Sequence, residues 1–257
     1  MKHEPRKRFG QHFLIDASII ARIVQLINPR DGEHLIEIGP GTGALTIPLL
    51  SKVQSLDAIE LDRDVVPVLK AKTSHLDAHL NVISQDALRV DFAALKQDAR
   101  LLRIVGNLPY NISTPLIFHL LRFASSIQDM VFMLQKEVAD RVAAVPGSCD
   151  FGRLSVMVQY HAVVHLHFIV PQDAFNPPPE VLSRMVSIIP HRVYPQKAHD
   201  EALFVELVKC AFNQRRKTLR NSLKAFAIAW DEVGIDSGKR PEELNVADFV
   251  VLANSIK

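Results

Sequence analysis

Cysteine is scarce in this chain of 257 residues: only Cys149 and Cys210 occur, far apart and in unrelated contexts. That spacing argues against a disulfide framework and against a cysteine metal site. No apolar run approaches the ~20 residues that a bilayer crossing requires, so no membrane partner is expected. The first residues, Met1-Lys2-His3-Glu4-Pro5-Arg6-Lys7-Arg8, are basic but lack a following apolar stretch with a small-residue cleavage site. They are not read as a secretory signal, and the cytoplasm is the expected compartment. Internal repeats and low-complexity tracts are missing as well. What remains is an ordinary soluble composition, 48% hydrophobic and 23% charged, in a chain long enough for one core and a smaller appendage.

Helical and extended patterns alternate along the chain, the signature of an α/β domain. Asp16 or Ser18 caps a helix carrying Ile19, Ile20, Ile23, Val24 and Ile27, which ends at Asn28-Pro29. Leu35–Ile38 reads as a first strand, with a glycine loop and a helix through Leu50 behind it. Ser55–Leu61 reads as a second strand, Arg63–Lys72 as a helix tolerating Pro67, Leu80–Ser84 as a third strand and Leu101–Val105 as a fourth. Pro115–Phe123 and Val131–Val145 are expected to be helical, wholly or in part. Val163–Val170 and Met185–Ile189 are expected to form a late pair of strands. Beyond the polar stretch at 190–199 the periodicity is helical. The expected division is therefore 1–193 for an α/β domain with a basic N-terminal arm, and 194–257 for a small helical domain.

Net charge is only +2, but it is unevenly spread. Arg6, Lys7 and Arg8 form one cluster. Lys209, Arg215, Arg216, Lys217, Arg220 and Lys224 form another, in a stretch without an acid. A helix there places Lys217, Arg220 and Lys224 on one face and Phe212, Leu219, Leu223 and Phe226 on another. Such a face is either simply solvated or a contact for polyanion. His161, His165 and His167 suggest a metal at first sight, but two of them alternate on the expected strand without a carboxylate or cysteine partner. Strand surface is the expectation, and no metal.

Two features carry chemistry. Gly39-Pro40-Gly41-Thr42-Gly43 lies between a strand and a helix, where glycines permit a tight turn and close ligand approach. Glu60 closes the second strand, the place of a carboxylate that accepts from ribose hydroxyls, and Asp86 follows the third. A dinucleotide-dependent dehydrogenase is the competing reading of this loop, since Ala44 can stand where the third glycine of that fingerprint falls. A P-loop is excluded because no Gly-Lys-Ser/Thr follows. The second feature is Asn107-Leu108-Pro109-Tyr110 at the end of the fourth strand. It is either a strand-ending turn or a polar hook beside an aromatic plate that holds a planar base while its amine reacts.

In order and spacing, Glu37-Ile38-Gly39-Pro40-Gly41-Thr42-Gly43, Glu60-Leu61-Asp62-Arg63-Asp64 and Asn107-Leu108-Pro109-Tyr110-Asn111-Ile112-Ser113 resemble the motifs of the rRNA adenine-N6 dimethyltransferases. Phe9-Gly10-Gln11-His12-Phe13-Leu14 resembles that family's opening motif, and Phe175-Asn176-Pro177-Pro178-Pro179-Glu180-Val181 its late aromatic-proline loop. Leu108 and Thr114-Pro115 look more like the small-subunit branch than the 23S branch. His12 stands where the family more often has Asn.

The resemblance implies a Rossmann-like methyltransferase fold: a mostly parallel seven-stranded sheet with a small C-terminal helical domain. It implies S-adenosyl-L-methionine as methyl donor, held by His12, Leu14, Gly39, Gly41, Glu60, Asp86 and Asn107. Asn107, the Leu108 carbonyl and Tyr110 then handle the base, with Phe175 either on its opposite face or a core anchor. Leu14 is equally an apolar anchor for the arm. Arg6, Lys7, Arg8, Arg215, Arg216, Lys217, Arg220 and Lys224 become RNA contacts. The partner implied is small-subunit rRNA in a pre-ribosomal particle, met by a monomer. A non-catalytic RNA-binding factor and an N6-adenine methyltransferase acting on another nucleic acid are the alternatives.

Overall fold

The computed structural model describes residues 12–214 and 216–256. Its elements, in chain order, are β1 (Phe13–Leu14), α1 (Ala17–Ile27), β2 (His34–Ile38), α2 (Thr46–Leu50), β3 (Ser55–Ile59), α3 (Val65–Thr73), β4 (His79–Ile83), β5 (Leu102–Asn107) and α4 (Ser113–Leu121). They continue with β6 (Ile127–Gln135), α5 (Lys136–Val142), α6 (Arg153–His161), β7 (Ala162–Val170), β8 (Phe175–Asn176), β9 (Ser183–Pro190), α7 (Glu201–Asn213), α8 (Leu219–Ser222), α9 (Trp230–Val233) and α10 (Val246–Asn254).

Asp16 is the cap of α1: its Oδ1 accepts from the Ser18 and Ile19 amides at 2.8 and 3.1 Å. Asn28 ends that helix in the left-handed region (φ 46°), which the following Pro29 makes final. Ile23 and Ile27 of α1 enter the core.

Seven strands form one sheet in the order β4-β3-β2-β5-β6-β9-β7. Pairings from β4 through β6 are parallel, and β9 runs antiparallel to β6. Strand order reverses between β2 and β5, and the carboxyl ends on either side of such a reversal bound a crevice. Gly106 lies at this reversal with no room for a side chain. A Cβ there would sit 2.4 Å from the Ile38 carbonyl oxygen.

One part of the sequence reading is corrected in the sheet. The stretch Val131–Val145, expected to be helical wholly or in part, is helical only in α5, and its first residues belong to strand β6. Met130 to Leu134 are all buried, as a strand covered on both faces requires, and a continuous apolar run of this kind gives no period that separates strand from helix.

Opposite the crevice, Arg103 on β5 anchors the amino end of the sheet. Its guanidinium donates to both Asp129 oxygens at 2.9 Å, to Glu33 at 2.6 Å and to the Ile27 carbonyl at 2.8 Å. One buried cation therefore ties β5 to β6, to the end of α1 and to the turn before β2. The two carboxylates and the hydrogen bonds together offset its desolvation.

The chain divides into two compact units. The first runs through Ala139 and returns for His165–Pro190; the second comprises Asp140–Val164 and the residues from His191 onward. In the second unit α7 packs against α6 and α10, with Phe204, Leu207, Val208, Phe249 and Val250 buried. Phe212 lies between Phe151 and Phe249, at centroid distances of 6.3 and 5.6 Å.

The basic stretch is not the single helix that its spacing suggests. Helix α7 stops at Asn213, and α8 begins only at Leu219. The cause is tertiary: the Leu219 and Arg220 amides donate to the carbonyls of Lys239 and Ser237, at 2.8 and 3.0 Å, instead of to a preceding turn. Leu219 and Leu223 are nevertheless buried, and Arg216, Lys217, Arg220 and Lys224 are exposed. The Arg220 Nε donates to Ser237 Oγ at 3.1 Å. Arg6, Lys7, Arg8 and Arg215 lie outside the described residues.

Candidate active site

One cleft runs along the carboxyl ends of β2, β3, β4 and β5 in the first unit. Its walls include His12, Leu14, Glu37, Gly39, Gly41, Glu60, Asp86, Asn107, Leu108 and Tyr110. Folding thus brings every cofactor candidate and three of the four base-handling candidates into one crevice.

Each residue arrives for a local reason. After β2 the chain turns through Gly39 (φ 69°) and Gly41 (φ 52°), a backbone that L side chains rarely adopt. At Gly41 a Cβ would also press within 3.1 Å of the Phe13 ring. Glu60 follows β3 directly and is 7% exposed. Its Oε1 accepts from the Asp62 amide at 2.8 Å and its Oε2 from the Gly41 amide at 3.2 Å. The carboxylate therefore tethers the glycine loop while one edge faces the cleft. Burial pushes its pKa above the ordinary range despite these bonds. Asp86 opens a 3-10 turn, accepting from the Leu88 amide at 3.0 Å through Oδ1.

Asn107 is the last residue of β5. Its amide nitrogen donates to the His12 backbone carbonyl at 3.2 Å, an arrangement that leaves Oδ1 as the acceptor available to the cleft. His12 is engaged elsewhere as well: its Nδ1 lies 2.9 Å from the Pro177 carbonyl, and its ring stacks on Tyr110 at 5.7 Å and 27°. Leu14 is 5% exposed and does double duty as cleft wall and core anchor. Its short strand β1 pairs with β8, setting Leu14 opposite Phe175.

That pairing also sets the surroundings of Phe175. The ring is 3% exposed, packs in the same core cluster as Leu14 and is not part of the cleft wall. In this structure it anchors the core.

Glu37 belongs to the glycine motif, and the fold adds a place for it that the motif alone does not show. It is 1% exposed, accepts from the Thr46 hydroxyl at 2.6 Å and lines the cleft beneath the glycine loop. Burial raises its pKa to about 7, and the nearby Glu60 adds to the rise. A carboxylate following a run of apolar strand residues was the available signal.

The electrostatics separate the two cofactor readings. Glu37, Glu60 and Asp86 converge on the cleft, and among the described residues that line it there is no lysine or arginine. Three carboxyl groups repel the pyrophosphate of a dinucleotide. They favour a cationic nucleoside, whose ribose hydroxyls and amines donate to them. The positive charge of a sulfonium and an ammonium fits this set of carboxyl acceptors. Among the described residues no group of three or more His, Cys, Asp or Glu is arranged to hold a metal.

A cleft of this charge on this sheet order defines the class: an S-adenosylmethionine-dependent methyltransferase. Sequence comparison narrows it. Residues 2–257 match the profile of ribosomal RNA adenine dimethylase, and the chain belongs to that family. Among its relatives, ribosomal RNA small subunit methyltransferase A of Pseudomonas putida is 53% identical, with 99% of this chain and 96% of that protein covered. The protein of the same name from Alcanivorax borkumensis is 51% identical, over 98% of this chain and 90% of the relative. A dimethyladenosine transferase from Plasmodium falciparum superposes with a TM-score of 0.78 at 25% identity, covering 94% of this chain and 96% of that one. The 23S rRNA methyltransferase ErmE shares the fold, with a TM-score of 0.74 at 21% identity over 95% of this chain and 99% of its own.

Proposed function

We propose that this chain dimethylates the N6 amines of adenosines in small-subunit rRNA, two adjacent ones near the 3′ end, during ribosome assembly. The observation that carries the reading is the orientation of Asn107, whose nitrogen donates to the His12 carbonyl and so leaves its oxygen as the acceptor for an amine in the cleft.

An adenine N6 lone pair is delocalised into the ring and attacks poorly. In the first transfer Asn107 Oδ1 accepts one N6–H and the Leu108 carbonyl accepts the other; in the second, the single remaining N6–H is shared by this pair of acceptors. These bonds draw the nitrogen toward tetrahedral geometry. Tyr110 stacks on the base and fixes its plane. Glu60 would receive the ribose hydroxyls of the cofactor, Asp86 its adenine amine and Glu37 its cationic methionine portion. His12, Leu14, Gly39 and Gly41 complete that wall. When bound, the cofactor would supply a methyl group already activated on sulfur, which keeps the bonding pair as the methyl leaves; the N6 proton is then lost to water after attack, so the chain's contribution is positioning and no strong base is needed.

The target base must leave its stack to reach Tyr110. Residues 194–257 grip helical RNA through Arg216, Lys217, Arg220 and Lys224, joined by Arg215 and by Arg6, Lys7 and Arg8 of the arm. The partner is a pre-ribosomal particle in the cytoplasm, met by a monomer. No described helix is long and apolar enough to cross a membrane.

Transfer of labelled methyl to undermethylated small subunits, large subunits and DNA tests the reading. Small subunits should be labelled, and Asn107→Ala should lower the rate by about 100-fold or more, as expected for a lost transition-state contact. If the wild type labels none of the three, the catalytic reading fails; label on DNA or large subunits overturns the choice of substrate.

A further inference from the structure

Ser183 opens β9, 73 residues beyond Tyr110, and its side chain is fully buried. Its hydroxyl shares a 2.7 Å hydrogen bond with the Tyr110 phenol. The serine is presented by regular backbone, not by a loop. It pairs with Gln135 across the β6–β9 ladder, and the carbonyl of the preceding Leu182 accepts from the Lys136 amide at 2.9 Å. Burial pushes the phenol up, so Tyr110 remains a neutral partner for the hydroxyl.

The geometry of a tyrosine makes this contact specific. The phenol oxygen lies on the χ2 axis, so a bond to it fixes where the ring axis points but not the rotation of the ring about that axis. Rotation about χ2 is soft. His12 supplies the second restraint, with its ring nearly parallel to Tyr110 and its own Nδ1 held at the Pro177 carbonyl. Two contacts from distant parts of the chain therefore fix the two torsions of one ring.

We propose that Ser183 is a positioning residue for methyl transfer: its hydroxyl aims the Tyr110 ring, and so sets the plane in which the target adenine meets Asn107. This rests on the reading of Tyr110 as the base platform. Misplacing a reacting group by a fraction of an ångström is costly because attack on the methyl carbon is in line. Affinity for RNA comes from the basic surface, so the loss should appear in kcat and not in KM.

The test is a cycle in methyl transfer to undermethylated small subunits, with Ser183→Ala, Ser183→Thr, Tyr110→Phe, Tyr110→Ala and the Ser183→Ala/Tyr110→Phe pair. Binding of S-adenosylmethionine and melting temperature are measured alongside. Ser183→Ala and Tyr110→Phe should each lower kcat about tenfold, with KM and cofactor affinity unchanged. The pair should be no worse than either single variant, since both remove the same bond. Ser183→Thr, which keeps the hydroxyl, should recover most of the rate. Multiplicative losses in the pair, an unchanged rate in Ser183→Ala, or parallel loss of cofactor binding and melting temperature would each overturn the proposal. Tyr110→Phe probes the bond from the other side if the buried serine tolerates no change. Full activity in Tyr110→Ala would instead remove the base-platform reading itself.

Discussion

Replacing Glu37 by glutamine isolates the cost of placing a carboxyl under the glycine loop. The group is 1% exposed and its pKa rises from 4.5 to about 7 on folding. For an acid held above its unfolded value, the fold prefers the protonated form. Its destabilising effect is therefore absent below pH 4.5, grows as pH rises from 4.5 to 7, and is constant above that. Two and a half pH units correspond to about 3 kcal/mol, of which about 2.5 kcal/mol separates pH 5 from pH 8. Glutamine keeps the shape and can still accept from Thr46, but it never ionises. In urea unfolding of the ligand-free protein, Glu37→Gln should gain about 2.5 kcal/mol relative to wild type between pH 5 and pH 8. Its absolute stability at pH 5 is close to or slightly below wild type, because the new amide donors cost about 1 kcal/mol if unpaired.

Cofactor binding should respond in the opposite sense. A cationic ligand in the cleft favours the ionised carboxyl, so affinity for S-adenosylmethionine in the wild type strengthens as pH rises through about 7. The variant should bind more weakly at pH 8 and show a shallower profile through pH 7. A stability difference between variant and wild type that does not change with pH would refute this account of the cleft.

Two further outcomes are expected. Arg103→Met strands Asp129 and Glu33 without their shared cation and should cost about 3–5 kcal/mol in urea unfolding; if the loss is under about 1 kcal/mol, the network does not hold the base of the sheet. Arg216→Ala with Lys217→Ala should lower the salt dependence of RNA binding by up to about two in log–log slope and leave binding of S-adenosylmethionine intact. Equal loss of both activities would mark misfolding and not a lost phosphate contact. These two are cleaner targets than Arg220, whose side chain is also tied to Ser237.

Local sequence was enough wherever the chemistry was local. Asp16 two and three residues ahead of the amides it caps, glycines at positive φ after a buried strand, and Glu60, Asp86 and Asn107 at successive strand ends all follow from short-range pattern. Given strands that alternate with helices, right-handed crossovers place those ends on one edge of the sheet, so the cofactor cleft was readable without coordinates.

What the sequence could not decide depended on partners far along the chain. Met130–Leu134 is apolar at every position, so only its place between β5 and β9 made it a strand. The basic stretch scans as one helix, but amides at Leu219 and Arg220 find carbonyls near residue 238 and break it. The surroundings of Phe175 were open until β8 paired with β1 and buried the ring against the core. The orientation of the Asn107 amide was open until the His12 carbonyl, 95 residues away, took the nitrogen and left the oxygen as the free acceptor on the cleft side. Pattern fixes which groups line the cleft because it fixes backbone; which way a group points is set by whatever packs against it, and only the folded chain supplies that.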